Sequence, residues 1–429
     1  MTKRILALLV ALILLGSLVA CGTNPVENPV GDPTDSQTGS SQGDTPMTVP
    51  DEGNGQTPGG ESNGGNNSDG ETPGGETPPA DNVKSIDIYM IAGQSNASGY
   101  TKVKDASALY AKAPGLENGY SNVHYAGNAR SDSGNPNYTK YDNMKAWQLT
   151  KLGFGRSDNY FGPEAGMAAA LSAYYNAETG KHAGIIKLAH GGTRLMNVTT
   201  GSNKNGNWVS PSYAEELGIS YVDPVGGLYN ALLLEVKTQL GELESYGGFT
   251  HVNIKGLYWM QGESDRDYPT EYEKAFKLFV SDLRSDLSDI VKQYHKSNDD
   301  GGASQMTVVV GSISETYSSA TADSVAKNQT CITMQKGLEK SIAKCYCLDN
   351  SQYVINRGDG TTDVVGTDRY HWNQADAREI GVNAGYLLLA ACTEYRDTNV
   401  EKWDALYDFI TNGGGSDSSD DESSWTERL

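Results

Sequence analysis

Ser95 stands in Gly93-Gln94-Ser95-Asn96, a tight turn entered directly from an apolar run, residues 85–92. A serine hydroxyl is a poor nucleophile until a base takes its proton, so Ser95 needs a histidine, and the histidine needs an acid to orient it. The chain has six histidines. His124 falls in a long polar insertion, His182 and His251 precede apolar runs, and His295 ends a helical stretch. His371 follows the last apolar run, with Asp368 three residues before it. A turn over that spacing lets the carboxylate hold one ring nitrogen while the other faces Ser95. His190, directly before Gly191, is the rival base, but residues 184–190 contain no acid to orient it, so it is expected to line the pocket.

Acyl transfer also needs donors aimed at the oxygen that becomes negative in the tetrahedral intermediate. The backbone N–H of Ser95, that of Gly192 (or Gly191) and the side-chain amide of Gln261 are the candidates, because Gly191-Gly192-Thr193 and Gln261-Gly262-Glu263-Ser264-Asp265 each follow an apolar run. Glycine after the second run permits close backbone approach to a ligand. Gln94, Asn96, Gly191 and Glu263 are expected to support these groups from behind, and Asp265 to serve the structure of its loop.

Five apolar runs read as strands buried on both faces: residues 86–92, 183–189, 253–260, 306–311 and 343–348. Helical patterns separate them at 163–175, 225–240, 271–294 and 324–342, and a last one covers 374–392. The alternation predicts a five-stranded parallel sheet between two helical layers, an α/β three-layer sandwich. Such sheets bind ligands at the carboxyl ends of their strands. The turn at Ser95, the Gly191-Gly192 pair and the Gln261 loop all follow carboxyl ends, so the alternation gathers them on one edge. Residues 100–160 form a polar insertion rich in Tyr, Asn and Gly with little periodicity. Its tyrosines and Trp147 are candidate platforms for sugar rings, and residues 197–211, with Trp208, a candidate opposite wall.

The ends of the chain have another character. Residues 1–20 carry Lys3 and Arg4 ahead of an apolar stretch too short to span a bilayer, and Leu18-Val19-Ala20-Cys21 resembles a bacterial lipobox. The expectation is an exported lipoprotein held at the cell surface by a lipid on Cys21. Residues 21–83 form a Gly, Ser, Thr and Pro linker that cannot bury enough apolar surface to fold, with a reach on the order of 45 Å. The tail 413–429 is acidic and of similar composition, which leaves one large domain over 84–412.

The formal charge of −21 mostly belongs to these ends. Residues 22–83 carry 11 acids and no base, the tail five acids and one arginine, and the leader two bases, leaving −8 for the core. That excludes a nucleic-acid partner, which calls for a basic stripe. Cys331, Cys345, Cys347 and Cys392 lack the C-x-x-C spacing or nearby histidines of a zinc site. Buried thiols and a disulfide through Cys331 or Cys392 both stay open.

With these residues in place the chain resembles the SGNH hydrolases, and among them the sialate O-acetylesterase-like branch, carbohydrate esterase family 6. The resemblance runs from Tyr89-Met90-Ile91-Ala92-Gly93-Gln94-Ser95-Asn96 through Phe161-Gly162-Pro163-Glu164, Gly191-Gly192-Thr193 and Gln261-Gly262-Glu263-Ser264-Asp265 to Asp368-Arg369-Tyr370-His371. It implies a flavodoxin-like fold and a metal-free, cofactor-free enzyme that removes acetyl groups from sugars. It also implies Ser95 as nucleophile, His371 as base, Asp368 as its orienter, and Ser95, a glycine of the second block and Gln261 as oxyanion donors. Gly-Gln-Ser in place of the wider superfamily's Gly-Asp-Ser, and Gln261 in place of its Asn, point to the carbohydrate branch rather than to lipases. The membrane enters only through the lipid anchor. The alternatives are an esterase for non-sugar acyl groups and a glycan-binding lipoprotein that keeps the fold without catalysis.

Overall fold

The computed structural model describes residues 83–130, 144–196, 206–222, 225–316, 320–353, 355 and 370–392. The leader, Cys21, most of the linker, Asp368 and the acidic tail lie outside the described residues. The strands are β1 (Ser85–Gly93), β2 (Thr101–Lys102), β3 (Val123–Arg130), β4 (Met144–Leu149), β5 (Tyr160–Phe161), β6 (Ala183–His190), β7 (His251–Met260), β8 (Thr307–Gly311) and β9 (Cys345–Leu348). The helices are α1 (Ser95–Ser98), α2 (Ala106–Lys112), α3 (Gly115–Asn118), α4 (Pro163–Ser172), α5 (Pro211–Leu217), α6 (Gly227–Gly247), α7 (Pro269–His295), α8 (Ala322–Ser341) and α9 (Gln374–Ala391).

After Ser85 every residue of β1 is buried, and its side chains divide by parity as a pleated strand requires. Ile86, Ile88, Met90 and Ala92 enter one apolar cluster with Leu228 and Val236 of α6 and Phe276 and Leu283 of α7. Tyr89 and Ile91 enter the other, with Met167 and Leu171 of α4 and Ile380 and Leu387 of α9. A strand that is apolar on both faces demands a helical layer on each, and the three-layer α/β/α sandwich follows.

The sheet has seven strands in the order β4-β3-β6-β1-β7-β8-β9, two more than expected. The five expected strands are all parallel and lie in the flavodoxin-like order 2-1-3-4-5 when counted among themselves. The extra pair comes from the polar insertion. There β3 runs parallel to β6, β4 closes the edge antiparallel to β3, and β2 and β5 pair in a separate two-stranded ribbon. Val123-His124-Tyr125-Ala126-Gly127 is too polar and too short to read as a buried strand, because its polar groups find partners only in the fold. His124, for example, hydrogen-bonds through Nδ1 with the Tyr246 hydroxyl and through Nε2 with His182.

The register levels the working edge. Gly93 pairs with Ala189 on one side and Met260 on the other, Met260 with Gly311, and Gly311 with Leu348. α9 crosses α4 closely enough that a Cβ at Gly166 would meet the Arg378 carbonyl oxygen at 2.0 Å, and one at Gly381 the Pro163 oxygen at 2.2 Å. Only glycine allows that backbone contact. The same crossing fixes the helix that starts just after His371.

Candidate active site

Where β1 ends, Gly93 has φ +138°, and a Cβ there would lie 2.0 Å from the Met260 carbonyl oxygen. Glycine is therefore obligatory at this point, and the chain turns at once into α1, with Gln94 N–H bonded to Met260 O at 2.9 Å. Ser95 opens α1, so its own N–H is one of the donors that no turn of the helix consumes. Gly191 follows β6 and packs against the same serine: a Cβ at Gly191 would stand 3.5 Å from Ser95 Cβ and 2.8 Å from the Tyr100 hydroxyl. Gly192 adopts φ +69° and would carry a Cβ into open space. Gln94, Ser95 and Asn96 are all at least nine-tenths buried.

The segment carrying His371 reaches this turn through named bonds. The side-chain amide of Asn96 donates to the Tyr370 carbonyl at 3.1 Å and to Glu263 Oε1 at 2.9 Å. Thr101 Oγ1 donates to the Trp372 carbonyl at 3.0 Å, and buried Trp372 donates through Nε1 to Ser314 Oγ at 2.9 Å. Gln374 Oε1 accepts the N–H groups of Lys104 and Asp105, while Asn373 caps α9. Half-buried His371 stacks on the Tyr100 ring, centroids 4.6 Å apart. The Arg156 guanidinium lies 4.9 Å from that ring and 4.4 Å from that of Tyr160. Residues adjoining Ser95 thus bond to residues adjoining His371, although 275 positions separate the two in the chain. Asp368, the expected orienter, lies outside the described residues.

The third block sits where expected, but Gln261 does not do what was expected of it. Its Nε2 donates to the Thr193 carbonyl at 3.1 Å and to Asp265 Oδ2 at 2.6 Å, with Gln94 Oε1 a third acceptor at 3.4 Å, so both amide hydrogens are committed. Turning the amide over would set its oxygen against two other acceptors, so the assignment is firm on chemistry. Gln261 therefore clamps the second block to the third instead of offering a donor to an oxyanion. Asp265 completes the clamp by accepting Leu195 N–H at 2.8 Å, the structural part expected of it. Burial raises its pKa to about 6, against the Leu195 and Gln261 bonds and the Arg194 charge. Glu263 is partly exposed as a residue, yet its Oε2 is shut off from solvent and has no hydrogen-bond partner. Desolvation pushes its pKa up, opposed by the Asn96 bond and the charges of His371 and Arg266.

The expected platform Trp147 and the expected wall residue Trp208 both point into the protein. Trp147 is buried with Nε1 bonded to the Gln239 carbonyl, and Trp208 is wholly enclosed, donating to Thr193 Oγ1 and packed edge-on against Trp259. Both tryptophans serve the core, because each indole N–H finds a buried acceptor. His190 is likewise buried, at the end of β6. Cys331, Cys345 and Cys347 are buried thiols outside any disulfide.

Sequence reasoning missed Tyr100, Thr101, Trp372 and Gln374, which bring the distant histidine to the serine, and Lys187, which lies beneath them. Lys187 is fully buried in β6, and its ammonium donates to Ser98 O at the end of α1 (3.1 Å), Phe154 O (2.7 Å) and Glu164 Oε2 (2.8 Å). A lysine inside the apolar run Ala183–His190 was the available signal. Among the described residues, His251, His295 and Asp299 are the cluster closest to a metal-ligand set. His295 Nε2 accepts the Val252 N–H at 3.0 Å, which places the ring proton on Nδ1, 3.2 Å from the Asp299 carbonyl oxygen. The pair is a hydrogen-bonding one.

The model of the carbohydrate esterase family described as sialic acid-specific acetylesterases matches residues 85–349. Among solved structures, a carbohydrate acetylesterase from Xanthomonas citri is similar at 13% identity, with 76% of this chain and 56% of that one covered and a TM-score of 0.41. The chain thus spans little more than half the length of that protein. A protein from Arabidopsis thaliana is similar at 16% identity, with 71% and 98% covered and a TM-score of 0.39. No curated protein matches the chain.

Proposed function

Since the chain belongs to the carbohydrate esterase family of sialic acid-specific acetylesterases, we propose that it removes O-acetyl groups from sugars through an acetyl-serine intermediate on Ser95. His371 takes the serine proton as Ser95 Oγ attacks the acetyl carbonyl carbon, and Asp368 orients the imidazole. The N–H groups of Ser95 and Gly192 receive the negative oxygen; Gln261 ties the loop of Gly192, through the Thr193 carbonyl, to the third block. The carbon–oxygen bond to the sugar then breaks, and His371 returns the proton to the departing sugar oxygen. Water, activated by the same histidine, releases acetate.

One observation carries this reading: the Asn96 amide bonds the carbonyl of Tyr370, tying the residue after Ser95 to the residue before His371. The substrates we propose are acetylxylan-like or sialic-acid-like, and the chain is proposed to be exported and anchored through a lipid on Cys21. The test is acetate release from acetylated xylan, an O-acetylated sialic acid and 4-nitrophenyl acetate. Ser95→Ala is expected to lose at least about a thousandfold in kcat. A folded Ser95→Ala protein with undiminished turnover ends the assignment.

A further inference from the structure

Glu263 is left unexplained by acyl transfer alone. A carboxylate oxygen without solvent or a hydrogen bond is costly unless a charge compensates it. The Arg266 side chain is cationic and acts on Glu263, and the imidazole of His371 acts on it too whenever it carries a second proton. The other ionisable groups that feel it, Tyr258, Tyr272 and Cys331, are buried and held neutral by burial, and the nearby acid Asp265 is spent on Leu195 and Gln261. The imidazole also stacks on the Tyr100 ring, with the Arg156 guanidinium 4.9 Å from that ring's centroid.

We propose that Glu263 is a second positioning carboxylate for His371, which stays ionised near the imidazole, favours the imidazolium formed when Ser95 attacks, and is held at a fixed spacing by the Asn96 amide. The proposal rests on the reading of Ser95 as nucleophile and His371 as base. In the step itself the Ser95 proton moves to His371, the serine oxygen bonds the acyl carbon, and the carbonyl pair moves to the oxyanion. Glu263 exchanges no proton and acts by charge alone. Asn96 suits the task because its two amide hydrogens are divided between Glu263 Oε1 and the Tyr370 carbonyl. The Arg156 guanidinium, opposite in sign to Glu263, sits 4.9 Å from the centroid of the Tyr100 ring on which His371 stacks.

The experiment is the pH profile of kcat/KM on 4-nitrophenyl acetate for the full chain, Glu263→Gln and Glu263→Asp. In Glu263→Gln the acid limb is expected to move about one pH unit lower, and the plateau to fall about tenfold, because the imidazolium has lost an opposite charge. Glu263→Asp, which keeps the charge, is expected to keep the wild-type limb. A carboxylate with a purely structural part lowers activity without moving the limb, so an unmoved limb in folded Glu263→Gln overturns the proposal. If that variant does not fold, 13C NMR of glutamate-labelled wild-type protein decides. An ionised Glu263 signal across the active pH range supports the role, and a protonated one sinks it. Either failure leaves the Ser95 assignment standing, since that depends on Ser95→Ala.

Discussion

The imidazole at 371 is held by a ring, a carboxylate and a strut, and the residue beside it is open to solvent. Tyr370 is an exposed aromatic, 63% accessible, whose backbone is pinned by Asn96. A tyrosine ring fixed next to the base presents an apolar face to a pyranose. Tyr370→Ala is expected to raise KM for an acetylated oligosaccharide about tenfold, corresponding to roughly 1.4 kcal/mol, and to leave KM for 4-nitrophenyl acetate unchanged. Equal effects on both substrates would remove Tyr370 from sugar contact. A second residue-scale expectation concerns Glu235 on α6, 1% accessible, which burial pushes up to about 7 from an ordinary 4.5. Between those values the native state holds a proton that the unfolded chain gives up. Its contribution to stability therefore declines as pH rises through that window, reaching a cost of about 3 kcal/mol above it. Glu235→Gln keeps an acceptor for the Gln239 amide. It is expected to melt higher than wild type at pH 8 and equally at pH 4, as followed by circular dichroism.

At the scale of elements, the turn carrying Ser95 rests on the buried ion pair of β6 and α4. Lys187 spends all three ammonium hydrogens, one of them on the last carbonyl of α1, and Glu164 Oε1 accepts Gly162 N–H as α4 begins. Removing one member strands a charge in the core. Lys187→Met alone should cost about 3–5 kcal/mol in denaturant unfolding, while Lys187→Met with Glu164→Leu should recover most of it. Equal losses in the single and the double variant would show that the bonds to Ser98 and Phe154 matter more than the charge pair. The elements themselves were unevenly legible. The five core strands and the long helices declared themselves by period, because their partners are apolar and any apolar partner serves. β3 and β4 did not, because Tyr125 and His124 depend on groups far away in the chain: Tyr125 stacks on Phe154, and His124 bonds Tyr246.

For the whole molecule, the ends and the core are separate questions. Every described residue lies between Val83 and Cys392. The lipobox reading predicts that Cys21→Ser leaves activity intact, abolishes incorporation of labelled palmitate and moves the protein from the membrane fraction to the soluble one. Palmitate labelling that survives the substitution would place the attachment elsewhere. The site is also a whole-molecule property. The crossing of α9 on α4 through Gly166 and Gly381, together with the Thr101, Trp372 and Gln374 bonds, carries residue 371 back to residue 95.

By itself the sequence determined the alternation of strands and helices, hence the layered sheet, and the four short blocks that such a sheet must bring to its carboxyl edge. Those follow from hydrophobic period and from glycine-bearing turns directly after apolar runs, both of which are read locally. The tertiary structure alone decided which donors and carboxylates remain for chemistry. Gln261 was a plausible oxyanion donor until Thr193 and Asp265 took its hydrogens, and Trp147 a plausible sugar platform until the Gln239 carbonyl took its N–H. A hydrogen can be donated only once at full strength, and which acceptor claims it depends on neighbours that only folding supplies.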